Sequence, residues 1–135
     1  MNLSPVTETF QQDDQSWLGS AHGTDAARSI TLDTSMFTAG THYANGYFPS
    51  GLPLGVITGT GQGGVVGLYG PYNDAATDGR QTLVGFLLCA VDAPSATTVD
   101  VQGALLDHGR IVESKLPIAI DAAGKTDVAG RIQFV

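Results

Sequence analysis

The stretch GPYNDAATDGRQTLVGFLLCAVDA, residues 70–93, joins a turn-rich loop to the most apolar run of the chain. Its first ten residues contain two glycines, a proline, an asparagine and two aspartates, which are residue types that favour tight turns. Residues 82–91 are then almost continuously apolar, and periodicity alone does not distinguish such a run from a buried helix. The short length of the run, Gly85 and the boundary at Pro94 favour a buried strand. The stretch therefore predicts a tight loop that leads into a core β-strand.

The length and composition of the chain indicate one small domain built from short strands. Its 135 residues are enough for a single domain with a modest core. The 18 glycines and 6 prolines favour many turns over long helices. Further strand-like patterns occupy residues 29–37, 54–61, 65–72, 97–106 and 131–135.

The last third of the chain adds only a little helix to this pattern. Residues 108–120 fit a strand or a short helix that ends near Pro117. Residues 121–130 fit one or two helical turns with Asp121 as the N-cap. The predicted fold class is therefore mainly β: a small barrel or sandwich domain, residues 29–135, with at most one or two short helices.

The charge distribution argues against two classes of partner. The chain carries 6 basic and 13 acidic residues, a net charge of −7, and Arg28 is the only basic residue before Arg80. An acidic surface repels phosphate, so we expect binding neither to nucleic acid nor to an anionic membrane. No window approaches the ~18 apolar residues of a membrane helix. The first residues also lack the basic start and apolar stretch of a signal peptide, so we expect synthesis in the cytoplasm.

Residues 1–28 differ from the rest of the chain and are expected to form an extended N-terminal arm. They are rich in Thr, Gln, Asp, Ser and Gly and sustain no strand or helix period, which is typical of a segment with little structure of its own. Three large apolar side chains interrupt the arm, namely Phe10, Trp17 and Leu18. Two interpretations stay open: Trp17, the only tryptophan, folds back onto the domain's own core, or the arm docks on a partner.

A glycine pattern at Gly59, Gly61 and Gly64 satisfies G-x-G-x-x-G directly after a strand-like segment. A dinucleotide site needs a helix next, because the helix N-terminus faces the pyrophosphate. The residues that follow, VVGLYGPY, contain β-branched residues, glycines and a proline instead, so the required context is missing. We interpret the three glycines as part of a hairpin or bulge and expect no cofactor.

No group of residues in the sequence indicates catalysis or a metal site. The histidines are far apart in the sequence: His22, His42 and His108. None of them has the spacing typical of metal ligands, and no G-x-S-x-G elbow is present. Cys89 lies inside the apolar run and is expected to be a buried small hydrophobe. Asp74 and Asp78 would share one face of a helical turn, but turn and cap residues of this type need no ligand.

A resemblance to a known family rests on residues 71–82, Pro-Tyr-Asn-Asp-Ala-Ala-Thr-Asp-Gly-Arg-Gln-Thr, with Val-Gly-Phe-Leu at 84–87 and Val-Asp-Ala at 91–93. This order is similar to the central segment of the lambda-type bacteriophage head decoration proteins. Further similar segments follow the same order along the chain: 28–32, 54–58, 105–107 and 132–135. The chain departs from the family in a shorter helical segment near its C-terminus and a longer arm before Trp17.

The resemblance implies a β-clip-like domain without catalytic activity. It implies a structural virion protein that binds the major capsid protein on the outer surface of the expanded head, as a homotrimer, and cements the head against internal DNA pressure. It also implies that the arm orders on the capsid, where Phe10, Trp17 and Leu18 are the expected contacts. The central-loop residues are expected to be architectural: Tyr72, Asp74, Asp78 and Gly79.

Two other functional classes stay open at this point. A carbohydrate-binding or adhesion module on a virion surface would use the tyrosine-rich segment 40–72, where Tyr43, Tyr47 and Tyr69 could stack on sugars. A small enzyme would use Asp107 and His108 with a further acidic partner. Adjacent residues in a strand point to opposite faces, which argues against a metal site shared by Asp107 and His108.

Overall fold

In a computed structural model, which describes residues 13–44 and 46–135, nine short strands form a closed barrel and two small sheets. The strands are β1 (Arg28–Leu32), β2 (Tyr47–Phe48), β3 (Pro53–Val56), β4 (Tyr69–Pro71), β5 (Gly85–Leu87), β6 (Val91–Asp92), β7 (Val101–Leu106), β8 (Gly109–Ile111) and β9 (Ile132–Phe134). This part of the chain has one α-helix, α1 (Ala122–Asp127), and three 3-10 turns, Thr24–Ala26, Thr34–Met36 and Glu113–Lys115. The predicted mainly β class is confirmed.

The barrel closes in the order β1-β4-β3-β5-β7. β1 and β7 pair antiparallel over five residues, and β3 and β4 form an antiparallel hairpin. A single parallel contact between Leu32 and Tyr69 closes the ring. β2 pairs with β6, and β8 pairs with β9 in parallel.

The antiparallel pair β1 and β7 runs along the barrel, and we name the two ends of the barrel after the residues of β1 that lie there. Arg28 pairs with Leu105 at one end, which we call the Arg28 end. Leu32 pairs with Val101 at the other, which we call the Leu32 end. About 3.3 Å of rise per residue places the two ends of β1 on the order of 13 Å apart.

The strand β5 lies at the centre of two hydrophobic clusters. Its three residues are all buried, and neighbouring side chains of a strand point to opposite faces. Phe86 belongs to one cluster and Leu87 to the other. This double burial explains why the run that contains β5 is apolar without alternation.

The predicted continuous strand over residues 82–91 is wrong in its extent. Ladder pairing of β5 ends at Leu87, and a bend follows at residues 88–89 before β6 begins at Val91. The bend carries Cys89 to the surface, so the expectation of a buried cysteine is also wrong. Local apolarity indicated burial there, but the bend turns the thiol out of the core.

Several local predictions agree with the structure. Asp121 caps α1, and its side chain accepts a hydrogen bond from the Gly124 N–H (2.8 Å). Residues 108–120 contain both a strand, β8, and a 3-10 turn, Glu113–Lys115.

The strand predicted over residues 97–106 is present, but it is shorter than expected, since β7 begins only at Val101.

Candidate functional site

The central loop, residues 71–82, is built around a buried ion pair. The Arg80 Nε–H donates to both carboxylate oxygens of Asp78, at 3.1 and 2.9 Å. The side chains are 8% and 0% exposed, respectively. The Asp78 carbonyl oxygen also accepts the N–H groups of Thr58 and Gly59 (2.7 and 3.1 Å), which ties the loop to the β3–β4 hairpin.

The Arg80 side chain needs two glycines opposite it. Gly55 and Gly70 are cross-strand partners in the β3–β4 hairpin. A Cβ on Gly55 would lie 2.7 Å from the Arg80 Cα, and a Cβ on Gly70 would lie 2.7 Å from the Arg80 Cδ. The pair therefore leaves the space through which Arg80 reaches Asp78.

Gly79 and Asp74, two residues of the expected architectural set, differ in their environment. Gly79 has φ = 107°, and a Cβ there would lie 2.5 Å from the Val56 carbonyl oxygen. Only glycine fits that conformation and that approach. Asp74 is exposed in a turn that Asn73 stabilises by accepting the Ala75 N–H (3.0 Å). Asp74 and Asp78 therefore do not form a common carboxylate site.

Tyr72 connects the central loop to the helix α1. Its hydroxyl donates to the Asp121 Oδ1 at 2.7 Å. Burial, followed by this hydrogen bond, raises the pKa of Tyr72 well above its ordinary value. The same bond, together with the Gly124 N–H, lowers the pKa of Asp121.

Replacing Tyr72 with phenylalanine is expected to raise the pKa of the Asp121 carboxyl towards its ordinary value, because the largest cause of its depression is removed. A depressed folded pKa stabilises the protein above the unfolded value of about 3.9, and this contribution is lost as the pH falls through the folded pKa. The Tyr72→Phe variant should therefore lose this pH-dependent contribution to the stability of the fold. Carboxyl NMR titration measures it, with Tyr47→Phe as the control. An unchanged Asp121 pKa would contradict the assignment.

The described part of the N-terminal arm lies against the domain. Trp17 is buried, and its Nε1–H donates to the Ser50 Oγ at 2.9 Å. Its ring lies 5.9 Å from the Phe86 ring between centroids. Its carbonyl oxygen accepts the Val112 N–H (2.7 Å). Of the two interpretations of Trp17, the structure shows the one in which it folds back onto the core, where its ring has no surface for a partner.

The other two arm residues are placed differently. Leu18 is half-buried and forms an antiparallel bridge with Ile111 of β8. Phe10 lies outside the described residues. Two side chains before Trp17 bind the chain to the domain. Gln15 donates to the Leu88 carbonyl oxygen (2.8 Å), and Asp13 accepts the Ala90 N–H (3.2 Å).

A shallow groove of about 240 Å³ contains two of the three tyrosines proposed to stack on sugars. Tyr43 and Tyr47 line it, whereas Tyr69 does not. Pro49 and Pro117 add apolar walls. His42 also lines the groove, and burial lowers its pKa.

The glycine pattern and two of the histidines have clear positions. Residues 57–68 connect the antiparallel strands β3 and β4, which confirms the hairpin interpretation of the three glycines. His22 packs edge-to-face on His108, 5.1 Å between ring centroids. The neighbouring Asp107 carboxylate accepts from the Arg28 Nε–H instead (3.1 Å). Within residues 13–44 and 46–135, no three His, Cys, Asp or Glu side chains are placed to hold a metal ion.

The exposed arginines gather at the Arg28 end of the barrel. Arg131 donates to the carbonyl oxygens of Asp107 and Val84 (3.0 and 3.1 Å). Arg110, which follows the turn at Asp107, donates to the Gln133 side-chain oxygen. The positions of the basic residues along the sequence did not predict this grouping, because only the fold brings these arginines together.

We compared the chain with models of known protein families and with curated protein sequences. In the helices that the structure describes, none is long and apolar enough to cross a membrane. Neither the family models nor the curated sequences contain a match to this chain.

Proposed function

We propose that this chain is a capsid decoration protein that binds the outer surface of an expanded bacteriophage head and cements it against internal DNA pressure. The supporting observation is that the segment carrying the resemblance, residues 71–93, contains the structural centre of the barrel. Its Asp78–Arg80 pair lies in a loop that is hydrogen-bonded to the β3–β4 hairpin, and its strand β5 contributes one residue to each core cluster. Because these residues belong to the core of the domain, a resemblance at these positions concerns the fold and not a surface loop.

Attachment to the shell is assigned to the part of the arm before the Trp17 anchor. Asp13 and Gln15 hold the chain along residues 88–90, and residues 1–12 precede them in the sequence. An extended segment can add to a sheet edge of a partner through main-chain hydrogen bonds, with a side chain such as Phe10 filling a pocket. Ordering the segment costs entropy, which a trimer offsets by engaging several capsid subunits at once.

Co-sedimentation of the purified protein with expanded, undecorated capsids of its own phage tests the proposal. Saturable binding at a fixed ratio to the capsid protein is the expected result. Analytical ultracentrifugation of the free protein then distinguishes a trimer in solution from one that forms on the shell. A protein that stays in the supernatant at all concentrations would contradict the proposed function.

Deletion of residues 1–12 is expected to abolish capsid binding while leaving the domain folded, because Trp17 and its contacts remain. The full-length Phe10→Ala variant should weaken binding in the same direction. Co-sedimentation measures both, and the thermal unfolding midpoint of each variant controls for folding. Full binding by the deletion variant would show that the arm is not the attachment segment.

A second candidate function rests on the groove that Tyr43 and Tyr47 line together with two prolines. Aromatic and apolar walls of this type also occur in carbohydrate sites. A glycan array with wild-type protein and the Tyr47→Ala variant tests it. Binding that disappears in the variant would favour an adhesion module, whereas no binding at high protein concentration would remove that candidate.

A further inference from the structure

A single pocket of about 400 Å³ lies at the Arg28 end of the barrel. Three segments of the chain line it: the N-terminal arm with His22, the β7–β8 turn with His108, and the residues that lead into β9, among them Gly130, Arg131 and Gln133. We call it the histidine pocket. All five of these residues are exposed, so a ligand can reach them from solvent.

Two glycines bring the arm close to the β7–β8 turn, where the two histidines meet. A Cβ on Gly23 would collide with the His108 carbonyl oxygen, and a Cβ on Gly109 would lie 2.7 Å from the His22 carbonyl oxygen. Both glycines have positive φ, 82° and 146°, which side chains disfavour. The close approach holds the His22 and His108 rings edge-to-face, 5.1 Å apart between their centroids.

Arg131 is the charged residue of the histidine pocket, and its guanidinium is fixed along one edge. Its Nη1 donates to the carbonyl oxygens of Asp107 and Val84 (3.0 and 3.1 Å). Its Nε and Nη2 have no hydrogen-bond partner among residues 13–44 and 46–135. The N–H groups on Nε and Nη2 point the same way, and such a pair forms the two parallel bonds by which arginine binds a carboxylate.

The other polar groups of the histidine pocket are neutral. Neither the His22 nor the His108 ring is hydrogen-bonded to another described residue, and a neutral imidazole supplies one N–H donor. The Gln133 side-chain oxygen accepts from Arg110 (3.1 Å), which leaves its NH₂ group to donate. No aspartate or glutamate of the described chain lines the pocket. The pocket therefore offers several donors around one positive charge.

We propose that the histidine pocket binds a carboxylate on an acidic side chain of a partner protein. Arg131 supplies the paired charged donors, and the two imidazoles and Gln133 supply neutral ones. The proposal goes beyond the cementing function, because it assigns a second recognition site that attachment through the arm does not use.

The charge of the histidine pocket fits a carboxylate better than a phosphate. Arg131 is the only arginine or lysine that lines the pocket, and the nearby Asp107 carboxylate is already paired with Arg28 (3.1 Å). A carboxylate carries one negative charge, whereas a phosphate monoester carries nearly two at neutral pH. A nucleic acid or an anionic membrane would also bring many phosphates against a chain of net charge −7, which repels them.

The exposure of the histidine pocket favours a protein as the source of the carboxylate. An exposed ion pair contributes little to affinity, so a free small acid would occupy the pocket only weakly. An acidic side chain of a partner protein brings further contacts around the pocket, and the ion pair then contributes orientation and specificity. Two copies of this chain repel each other through their like net charge, so the partner is a different protein.

NMR titration of the isotope-labelled full chain tests the proposal without any variant. The probe is a short Gly-Ser peptide with a central glutamate and blocked ends, and the same peptide with glutamine is its matched control. The glutamate peptide should shift the amide signals of His22, His108 and Gly130 saturably, and the glutamine peptide should not. Inorganic phosphate, the third probe, should bind more weakly than the glutamate peptide.

Variants of the histidine pocket provide a second measurement. Arg131→Gln should weaken binding of the glutamate peptide about fivefold, and His22→Ala, whose ring has no hydrogen bond to lose, should weaken it in the same direction. Lys115→Gln removes a positive charge outside the pocket and should bind as wild type. The thermal unfolding midpoint of each variant controls for folding.

Three results would overturn the proposal: equal shifts with the glutamate and glutamine peptides, tighter binding of phosphate, or wild-type affinity in both pocket variants. Each of them would leave capsid binding through the arm untouched, because co-sedimentation with capsids measures that function separately.

Discussion

Replacing Trp17 with alanine is expected to lower the free energy of unfolding by about 3–5 kcal/mol, the range for truncating a large buried aromatic side chain. The ring fills the cluster around Phe86, and its Nε1–H bonds to Ser50. A domain of this size has a stability of about 5–15 kcal/mol, so one substitution removes a large share. Urea unfolding followed by circular dichroism measures the change, since the variant has no tryptophan to report by fluorescence.

Two smaller substitutions separate the packing of the Trp17 ring from its hydrogen bond. Ser50→Ala removes the acceptor of the Trp17 N–H and the hydroxyl that donates to the Leu88 carbonyl oxygen (2.6 Å), and it should cost about 1–3 kcal/mol because a buried N–H is left unpaired. Trp17→Phe keeps an aromatic ring and should fall between Ser50→Ala and Trp17→Ala. A loss below about 1 kcal/mol for Trp17→Ala would place the ring outside the core in solution. Trp17 would then be free for the capsid contact that the family resemblance implies.

Local signals in the sequence were sufficient for much of the fold. The Asp121 cap, the interpretation of the three glycines as a hairpin and the tight loop before β5 each depend on residues close together in the chain. The structure contains all three. The mainly β class followed from the glycine and proline content together with short apolar segments.

Contacts between distant residues could not be predicted in the same way. The bend after Leu87 exposes Cys89 although its neighbours are apolar. Trp17 finds its partner Ser50 33 positions further along the chain. No local pattern distinguishes a tryptophan that anchors an arm to its own domain from one that docks on a partner.

The candidate site was identified only in part. Of the residues expected to be architectural, Asp78 and Gly79 hold the central loop and Tyr72 connects it to α1, whereas Asp74 is exposed. Arg80, the partner of Asp78, was not predicted. Asp33 and Thr34, a buried polar pair directly after β1, were not predicted either, because a polar pair at the end of a strand resembles any turn. Only the fold brings them against loops that are more than 30 residues away in sequence. Their burial is the signal, and burial is a property of the folded chain.

Breaking the Asp78–Arg80 pair is expected to be as costly as losing Trp17. Asp78→Ala leaves the Arg80 guanidinium buried without its carboxylate, and removing one partner of a buried pair costs about 3–5 kcal/mol. Arg80→Met keeps much of the aliphatic volume between Gly55 and Gly70 but leaves the Asp78 carboxylate buried without its partner. This variant should lose a similar amount of stability. Urea unfolding at neutral pH gives both values.

The double variant Asp78→Ala/Arg80→Met distinguishes an ion pair from simple loss of packing. With both charges gone, no unpaired charge remains buried, so the double variant should be clearly more stable than the sum of the two single losses predicts. The coupling free energy should reach about 1–3 kcal/mol. Additive losses would mean that the two side chains stabilise the central loop independently. The conformation of the central loop would then depend on glycine geometry and not on charge pairing.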